Sequence, residues 1–295
     1  MPDTIDEKDW DRLLGRIKEG KCTPFLGAGA AYGILPLGAD IAKDWAEHYK
    51  YPFKDSNTDL ARVAQFLAID QDGMFPKESI IKKFKDVKEP NYTEPDEPHG
   101  LLADFGLPIY ITTNYDNFMV QALRNKKFKP VQESCRWNSI LKKKVSVFDD
   151  RNFKPSKENP VVYHLHGFLE EPESLVLTED DYLDFLVNVS KDADIIPSAI
   201  QESLAKTSLL FIGYKLADVN FRVLLRGIIG YLEKSLTRSH ISVQLMPGGD
   251  SVSQNEKDKA QAYLDEYFKK IDIKVYWGTS RDFTKELRSR WDKFK

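Results

Sequence analysis

Apolar stretches that alternate with helical patterns constrain the fold of this chain more than any other feature. Near-continuous apolar runs, as found in strands buried on both faces, occur at residues 22–26, 106–113, 160–167, 208–214, 241–246 and 273–277. Segments with helical periodicity or longer polar excursions separate these runs. Strands that alternate with helices form parallel sheets covered by helices on both faces. The sequence therefore predicts an α/β fold with a doubly wound parallel sheet.

The first apolar run leads directly into a glycine-rich turn, Gly27-Ala28-Gly29-Ala30-Ala31-Tyr32-Gly33. Its spacing, G-x-G-x-x-x-G, is one residue longer than the dinucleotide-binding fingerprint of Rossmann folds. Glycine lets a backbone approach a ligand closely, and N–H groups left free at the turn can face a pyrophosphate. The turn fits either a dinucleotide site on a Rossmann-like sheet or a plain tight connection between strand and helix.

Two insertions interrupt the alternation of strands and helices. Residues 36–104 have mainly helical periodicity, which predicts a small helical subdomain inserted between the first two strands. Residues 126–160 are polar and rich in lysine, and we expect a second, irregular insertion there. We predict that residues 1–295 form a single catalytic domain that carries both insertions.

Several polar residues occupy positions that predict helix starts. Thr178 and Asp181 have the spacing of a capping box, and Ser280 precedes the last helical segment. Asp116 is placed to cap the helix that follows the second strand, and Asp218 a helix over residues 216–232.

Composition excludes several classes of protein. Lysine and arginine number 43 against 46 acidic residues, so no basic field indicates nucleic-acid binding. No apolar stretch approaches the ~20 residues of a membrane span, and the acidic N-terminal segment has no apolar leader. The two cysteines, Cys22 and Cys135, are far apart and form no C-x-x-C pair, which excludes a zinc ribbon and disfavours disulfides. We expect a cytoplasmic protein with no membrane partner.

Polar residues collect at the ends of the predicted strands. Asn114 and Asp116 follow the second strand, His164 and His166 end the third, and Gly213-Tyr214 ends the fourth. Because ligands of open parallel sheets bind beyond the carboxyl ends of the strands, these residues together predict one site. Separately, Asn114 and Asp116 also fit an Asx turn and a helix cap.

His164 and His166 stand two residues apart, so on a strand both project from the same face. Such a pair can bind a metal, but a site needs further ligands, and the chain has five histidines and no clustered cysteines. We therefore predict no metal, with one histidine packed in the structure and His166 exposed in the pocket. The chain has no G-x-S-x-G, P-loop or H-E-x-x-H motif, which leaves serine hydrolases, P-loop ATPases and zincins unsupported.

Taken in order, these motifs resemble the sirtuin family. Gly27-Ala28-Gly29 is similar to its G-A-G loop, Thr113-Asn114-Tyr115-Asp116 to its T-Q-N-x-D segment, and His166-Gly167 to its catalytic H-G pair. Gly213-Tyr214 stands where the family has a Gly-Thr/Ser-Ser cluster, and Val243-Gln244 where it has an Ile-Asn pair that contacts ribose.

The chain also departs from the protein-deacylase members of that family. It has no four-cysteine zinc ribbon, residues 34–40 lack the family's P-D-F-R arginine, and Met246 replaces an expected acidic residue. These features, with T-T-N-Y-D and the Leu177-Thr178-x-x-x-Tyr182 stretch, are most similar to the bacterial sirtuin-like domains of antiviral defence. Those domains cleave NAD to nicotinamide and ADP-ribose.

The resemblance implies an antiphage-defence NAD hydrolase that uses NAD as substrate and needs no metal. It implies catalytic roles for Asn114, His166 and Asp116. Asn114 would hold the ribose and a water, His166 would accept a proton, and Asp116 would orient the nicotinamide amide or stabilise positive charge. The implied NAD-binding residues are Gly27, Ala28, Gly29, Ala30, Thr113, Gly213, Tyr214 and Gln244.

An unregulated NAD hydrolase would kill its host, so we expect control by a homo-oligomer or by a partner chain. The resemblance adds a HerA-type hexameric ATPase as a candidate partner. Two alternatives stay open. The chain could be a non-catalytic scaffold subunit that binds NAD or ADP-ribose, or, as a weaker alternative, an NAD-dependent protein deacylase.

Overall fold

A seven-stranded sheet forms the centre of the computed structural model, which describes residues 5–214, 240–245 and 253–295. The strands are β1 Cys22–Leu26, β2 Ile109–Thr112, β3 Val131–Ser134, β4 Val161–His164, β5 Ser208–Ile212, β6 His240–Gln244 and β7 Ile273–Trp277. Their order is β3-β4-β2-β1-β5-β6-β7, and every neighbouring pair is parallel. The chain places β2, β3 and β4 on one side of β1 and then β5, β6 and β7 on the other, which confirms the doubly wound α/β fold.

Helices cover both faces of this sheet. The helices of the described residues are α1 Glu7–Lys18, α2 Gly38–His48, α3 Leu60–Asp70, α4 Phe75–Phe84, α5 Pro98–Phe105, α6 Phe118–Asn125, α7 Glu179–Lys191, α8 Ser198–Lys206, α9 Gln254–Lys269 and α10 Ser280–Phe294. Alternate strand residues explain the two layers, because successive side chains point to opposite faces. Leu26 and Tyr110 pack in the core with α1, α5, α6 and α10, whereas Phe25 and Ile111 pack in the core with α7, α8 and α9.

Helices α2, α3 and α4 form a third, smaller apolar cluster beside the sheet, around Trp45, Val63, Leu67 and Ile80. Helix α5 also falls within the predicted insertion of residues 36–104, but its apolar side chains join the core of the sheet. The division of the chain into a domain and two insertions stays a prediction.

Other local predictions met different outcomes. The capping box of Thr178 and Asp181 is confirmed, whereas the last helix is capped by Thr279 and not by Ser280. Residues 126–160, predicted to be irregular, contain the edge strand β3. The predicted helix over residues 216–232 with its Asp218 cap, and Met246, lie outside the described residues. Within the described ranges no helix is long and apolar enough to cross a membrane.

Candidate active site

The carboxyl ends of four neighbouring strands, β4, β2, β1 and β5, lie together at one edge of the sheet. The order of strands reverses at β1, because the chain continues to β2 on one side and later to β5 on the other. This is the position at which open parallel sheets bind ligands. The polar clusters predicted at the strand ends therefore share one edge.

The glycine loop after β1 is closed by hydrogen bonds to protein. Gly27 has extended backbone and begins a short 3₁₀ turn over Ala28–Ala31. The N–H groups of Gly27 and Gly29 donate to the carbonyls of Ile212 and Gly213, and Ala30 N–H donates to the Gly27 carbonyl, each at 2.9 Å. Three of the four loop residues expected to bind NAD thus donate their N–H groups to protein carbonyls. The fourth, Ala28, is exposed.

The glycines of this loop allow two turns to pack against each other. A Cβ on Gly27 would lie 2.9 Å from both the Gly213 carbonyl oxygen and the Tyr214 ring, and one on Gly29 would lie 2.9 Å from Gly213 Cα. Gly213 itself has φ +84° and would place a Cβ 2.2 Å from Ala30 N. The sequence interpretation explained these glycines by close approach to a ligand. In the structure the Gly213-Tyr214 turn fills the space that their side chains would take.

Asn114 is held at this edge by three hydrogen bonds to three different segments. Its N–H donates to Thr112 Oγ1 at 2.9 Å, and its side-chain Nδ2 donates to the Gly27 carbonyl at 3.1 Å. Its own carbonyl lies 3.1 Å from His164 Nδ1. The backbone and one end of the carboxamide are therefore fixed by strands β2, β1 and β4. Each bond of this kind stabilises the arrangement by about 1 kcal/mol.

Tyr214 connects the glycine loop to the end of β2. Its hydroxyl donates to the Leu26 carbonyl at 2.7 Å, and Thr113 Oγ1 lies 2.8 Å from the same hydroxyl and donates to it. The Tyr214 ring packs edge-on against Phe25. Thr113 and Tyr214, both expected to contact NAD, thus contact each other and brace the loop.

Gln244 is the buried last residue of β6. Its Nε2 donates to the Tyr214 carbonyl at 2.9 Å and lies 3.0 Å from Ser242 Oγ. This places Gln244 behind the Gly213-Tyr214 turn, where it supports the residue on which the glycine loop packs. The contact of Gln244 with ribose stays a prediction.

Asp116 is only 7% exposed, and its two carboxylate oxygens differ. Oδ1 accepts the N–H of Phe118, the first residue of α6, at 3.0 Å. Oδ2 is buried and has no hydrogen-bond partner among the described residues. Burial raises the pKa of Asp116, and the nearby charge of His99 opposes that shift. The N-cap of α6 is Asn117, so the predicted cap at Asp116 is wrong, and the bond to Phe118 N–H is that of the alternative Asx turn.

The sequence interpretation missed a buried pair beside Asp116. Glu97 caps α5 and accepts the N–H groups of His99 and Gly100, and its Oε1 lies 2.7 Å from His99 Nδ1. Burial lowers the pKa of His99, but the bond to Glu97 outweighs it, so the net pKa is raised. An acidic residue followed by Pro98 marks a helix start, which is the one signal the sequence offered for this pair.

The two histidines of the His-x-His pair have different environments. His164, the last residue of β4, is fully buried and bonded to the Asn114 carbonyl and to Gln132. His166 packs edge-on against Tyr182 and Phe185, with ring centroids 5.2 Å apart in both pairs. β4 ends at His164 and His166 lies in the turn that follows, so the strand alternation that predicted a common face does not reach His166.

His166 was also expected to be exposed, and that prediction is wrong because the residue is only 7% exposed. Burial lowers the pKa of His166 to about 3, so its imidazole is neutral at physiological pH. Within the described ranges no hydrogen bond reaches either ring nitrogen. In the same part of the chain no group of three or more His, Cys, Asp or Glu side chains could hold a metal ion.

The profile of the SIR2-like domain family matches residues 108–276, more than half of the 295 residues. The chain belongs to the SIR2-like domain family. The matched range includes Asn114, Asp116, His164, His166 and the Gly213-Tyr214 turn.

Curated relatives of this SIR2-like domain protein carry names that describe hydrolysis or defence. "NAD(+) hydrolase ThsA" of Acinetobacter baumannii (strain 532279) is 25% identical over 79% of this chain and 44% of its own length. The protein of the same name from Bacillus cereus (strain MSX-D12) is 24% identical over 77% of this chain and 44% of its own. "Defense-associated sirtuin 2" of Bacillus subtilis is 26% identical over 72% of this chain and 19% of its own. The chain therefore spans less than half the length of these relatives.

A solved structure titled "Structural Basis for the Mechanism and Regulation of Sir2 Enzymes" covers 98% of this chain and 99% of that chain, with 11% identity and a TM-score of 0.44. The fold assignment of the SIR2-like domain rests on its own strand order.

The structure brings some of the predicted site residues of this SIR2-like domain into direct contact. Hydrogen bonds join Asn114 to Gly27, Thr113 to Tyr214, and Gly29 to Gly213. Gln244 contacts the same group through its bond to the Tyr214 carbonyl. Within the described residues, no hydrogen bond joins the His166 ring to Asn114 or Asp116.

Proposed function

We propose that this SIR2-like domain hydrolyses NAD at the bond between nicotinamide and ribose, giving nicotinamide and ADP-ribose. The observation that carries the proposal is the anchoring of Asn114 by three hydrogen bonds at the edge where β1, β2 and β4 end. A carboxamide fixed beside a glycine loop suits the positioning of a ribose. The names of the ThsA relatives support the same reaction.

The chemistry demands little acid catalysis. Nicotinamide is a cationic substituent and leaves as a neutral molecule, while positive charge develops on the ribose in an oxocarbenium-like transition state. The protein must then hold the ribose and a water in line and stabilise the charge. The anchoring of Asn114 leaves one hydrogen on Nδ2 and the side-chain oxygen Oδ1 available. In this proposal these two groups hold a ribose hydroxyl and the attacking water.

His166 is the proposed proton acceptor. Its pKa of about 3 keeps the imidazole neutral, so a ring nitrogen can accept a proton from the water or from a ribose hydroxyl. Tyr182 and Phe185 pack against the ring and fix its plane. Contact with a polar substrate would replace part of the lost solvation and raise its basicity during the reaction.

Asp116 is proposed to stabilise the substrate through its unpartnered Oδ2. This oxygen can accept from the nicotinamide amide or face the positive charge that develops on the ribose. The proposed NAD-binding set is completed by Ala28 of the glycine loop and by Thr113, Tyr214 and Gln244. Packing against Gly213 maintains the conformation of the loop.

The proposal is tested by nicotinamide release from NAD by the purified chain, with and without a chelator. We expect Asn114→Ala to reduce turnover by ~10³-fold while the melting temperature changes little, because the amide positions reacting groups. Asn117→Ala is the matched control, since this nearby asparagine bonds to Glu170 at the surface. An Asn114→Ala variant as active as the wild type would refute the mechanism, and a chelator-sensitive reaction would refute the metal-free form of the proposal.

A scaffold that binds NAD or ADP-ribose without turnover is the second candidate. The observation that favours it is the burial of His166, only 7% exposed, which lowers its pKa and makes the imidazole a weak base. Isothermal calorimetry with ADP-ribose, beside the release assay, separates the two candidates. Binding without release from NAD favours the scaffold.

A role in antiphage defence, cytoplasmic location and control by assembly are parts of the same proposal. Both cysteines are free and buried, as suits a reducing compartment. Light scattering of the purified chain, alone and mixed with a HerA-type ATPase from the same genome, tests the expected oligomer and partner. A fully active monomer would contradict control by assembly.

A further inference from the structure

We infer that His164 is a positioning residue for Asn114, acting through the N–H group on its Nδ1. Its imidazole lies 3.1 Å from the Asn114 carbonyl, is fully buried, and is held in turn by Gln132 at 3.3 Å from Nε2. The inference rests on the proposed function, since it assigns His164 a role in the turnover that Asn114 supports.

The contacts of His164 cross four neighbouring strands. Gln132 lies on edge strand β3, His164 on β4, Asn114 directly beyond β2, and the Gly27 carbonyl directly beyond β1. These strands are consecutive in the sheet, β3-β4-β2-β1. The hydrogen bonds therefore form one chain from the sheet edge to the glycine loop, with Asn114 at its centre.

The partners of His164 define its tautomer. The Asn114 carbonyl can only accept, so the nitrogen facing it, Nδ1, must carry the hydrogen. Nε2 then has a lone pair, which the Gln132 amide N–H satisfies. Burial lowers the pKa of His164 to about 4, which agrees with a neutral ring that has one N–H group. The ring of Phe168, with its centroid 5.1 Å away, packs against this imidazole.

The consequence for Asn114 is a backbone fixed on both sides of its Cα. Its N–H is bound by Thr112 and its carbonyl by His164, while Nδ2 is bound by Gly27. Loss of the His164 bond would free the peptide that follows Asn114 and displace the carboxamide. Displacements of ~1 Å at a positioning group cost ~10²-fold in rate. Because the substrate-facing atoms remain, the loss falls on kcat and not on KM.

Two substitutions of His164 separate the N–H group from the bulk of the ring. His164→Asn places an amide nitrogen near the position of Nδ1 and keeps a donor toward the Asn114 carbonyl. His164→Gln places its amide near Nε2 and leaves that carbonyl without a donor. We expect His164→Asn to keep kcat within ~5-fold of the wild type and His164→Gln to lose ~30-fold or more, both with KM for NAD within ~3-fold.

A third substitution tests the tautomer without touching His164. Gln132→Leu removes the amide that donates to Nε2. The imidazole can then adopt the Nε2–H tautomer, in which Nδ1 no longer donates to the Asn114 carbonyl, and kcat should fall by ~5-fold. Ser134→Ala is the matched control, since Ser134 is on the same face of β3 and bonds to Glu171 instead. We expect Ser134→Ala to keep the wild-type kcat.

The closing experiment joins kinetics with imidazole ¹⁵N NMR of the full chain, in which the His164 signals are identified by their absence from His164→Asn. The expected result is an Nδ1–H tautomer in the wild type, with the order of kcat wild type, His164→Asn, Gln132→Leu, His164→Gln. An Nε2–H tautomer, or a His164→Gln variant with wild-type kcat, would overturn this inference while NAD hydrolysis stands. A wild-type chain that releases no nicotinamide would overturn the proposed function, and the positioning role with it.

Discussion

Two halves of the candidate site differ in how their polar groups are satisfied. Around Asn114, its own backbone groups, the N–H groups of Gly27, Gly29 and Ala30 and the Tyr214 hydroxyl have protein partners. Around Asp116 and His166, the Asp116 Oδ2 is buried without a hydrogen-bond partner in the described ranges, and the His166 ring packs against Tyr182 and Phe185. Buried polar groups without partners cost stability, so their persistence points to a role with substrate. The residues around Asn114 therefore fix the geometry of the site, and those around Asp116 and His166 are the candidates for direct interaction with the substrate.

Replacing His166 tests the unsatisfied half most severely. His166→Phe keeps an aromatic ring between Tyr182 and Phe185 but removes both nitrogens. We expect nicotinamide release to fall by ~10²–10⁴-fold with an unchanged or higher melting temperature, because a desolvated imidazole is replaced by an apolar ring. Phe185→Leu is the control for packing and should stay within ~10-fold of the wild-type rate. A His166→Phe variant as active as the wild type would refute the proposed role of His166 as proton acceptor.

A glycine substitution tests the satisfied half. Gly213→Ala should destabilise the fold by about 3 kcal/mol or more, because its φ is +84° and its Cβ would lie 2.2 Å from Ala30 N. Gly33→Ala is the matched control, since Gly33 has φ +86° but nothing within 4 Å of its Cβ position. That variant should lose only ~1 kcal/mol. The measurement is urea unfolding, and equal losses would show that backbone conformation and not loop packing determines the cost.

The smallest effect concerns the charge of Asp116. Because its pKa is raised by burial, the folded state binds more protons than the unfolded state above the ordinary pKa of 3.8. The free energy of unfolding that this group contributes therefore falls as pH rises from the ordinary pKa through the raised pKa of the folded state. Asp116→Asn cannot ionise, so its stability relative to the wild type should increase as pH rises above the ordinary pKa of 3.8. Asp11→Asn, at an exposed position of α1, is the control for removing one carboxylate in the same chemical unfolding series.

The sequence predicted the sheet well because its central strands are buried on both faces and read as continuous apolar runs. It did not predict β3, whose residues Val131-Gln132-Glu133-Ser134 are half-buried and mostly polar at the sheet edge. Such a segment carries no apolar signal, although it supplies Gln132 to His164.

The candidate site was predicted as a set of residues but not as a set of contacts. Spacing placed Asn114, His166 and the glycine turns at strand ends, which the parallel topology brings to one edge. Spacing could not show that Gly213 fills the space beside Gly27, nor that His99 and Glu97 are buried near Asp116. Burial and long-range packing are properties of the folded chain, and a local pattern does not encode them.

The bond from Tyr214 to the Leu26 carbonyl links residues separated by 188 positions, and it closes the loop after the first strand. During synthesis the glycine loop leaves the ribosome before β5 and the Gly213-Tyr214 turn, against which the loop packs. Contacts of such long sequence separation cost loop-closure entropy and slow folding. If the chain destroys a metabolite that the translating cell needs, a nascent fragment that lacks β5 is therefore harmless, and activity begins only after β5 has left the ribosome.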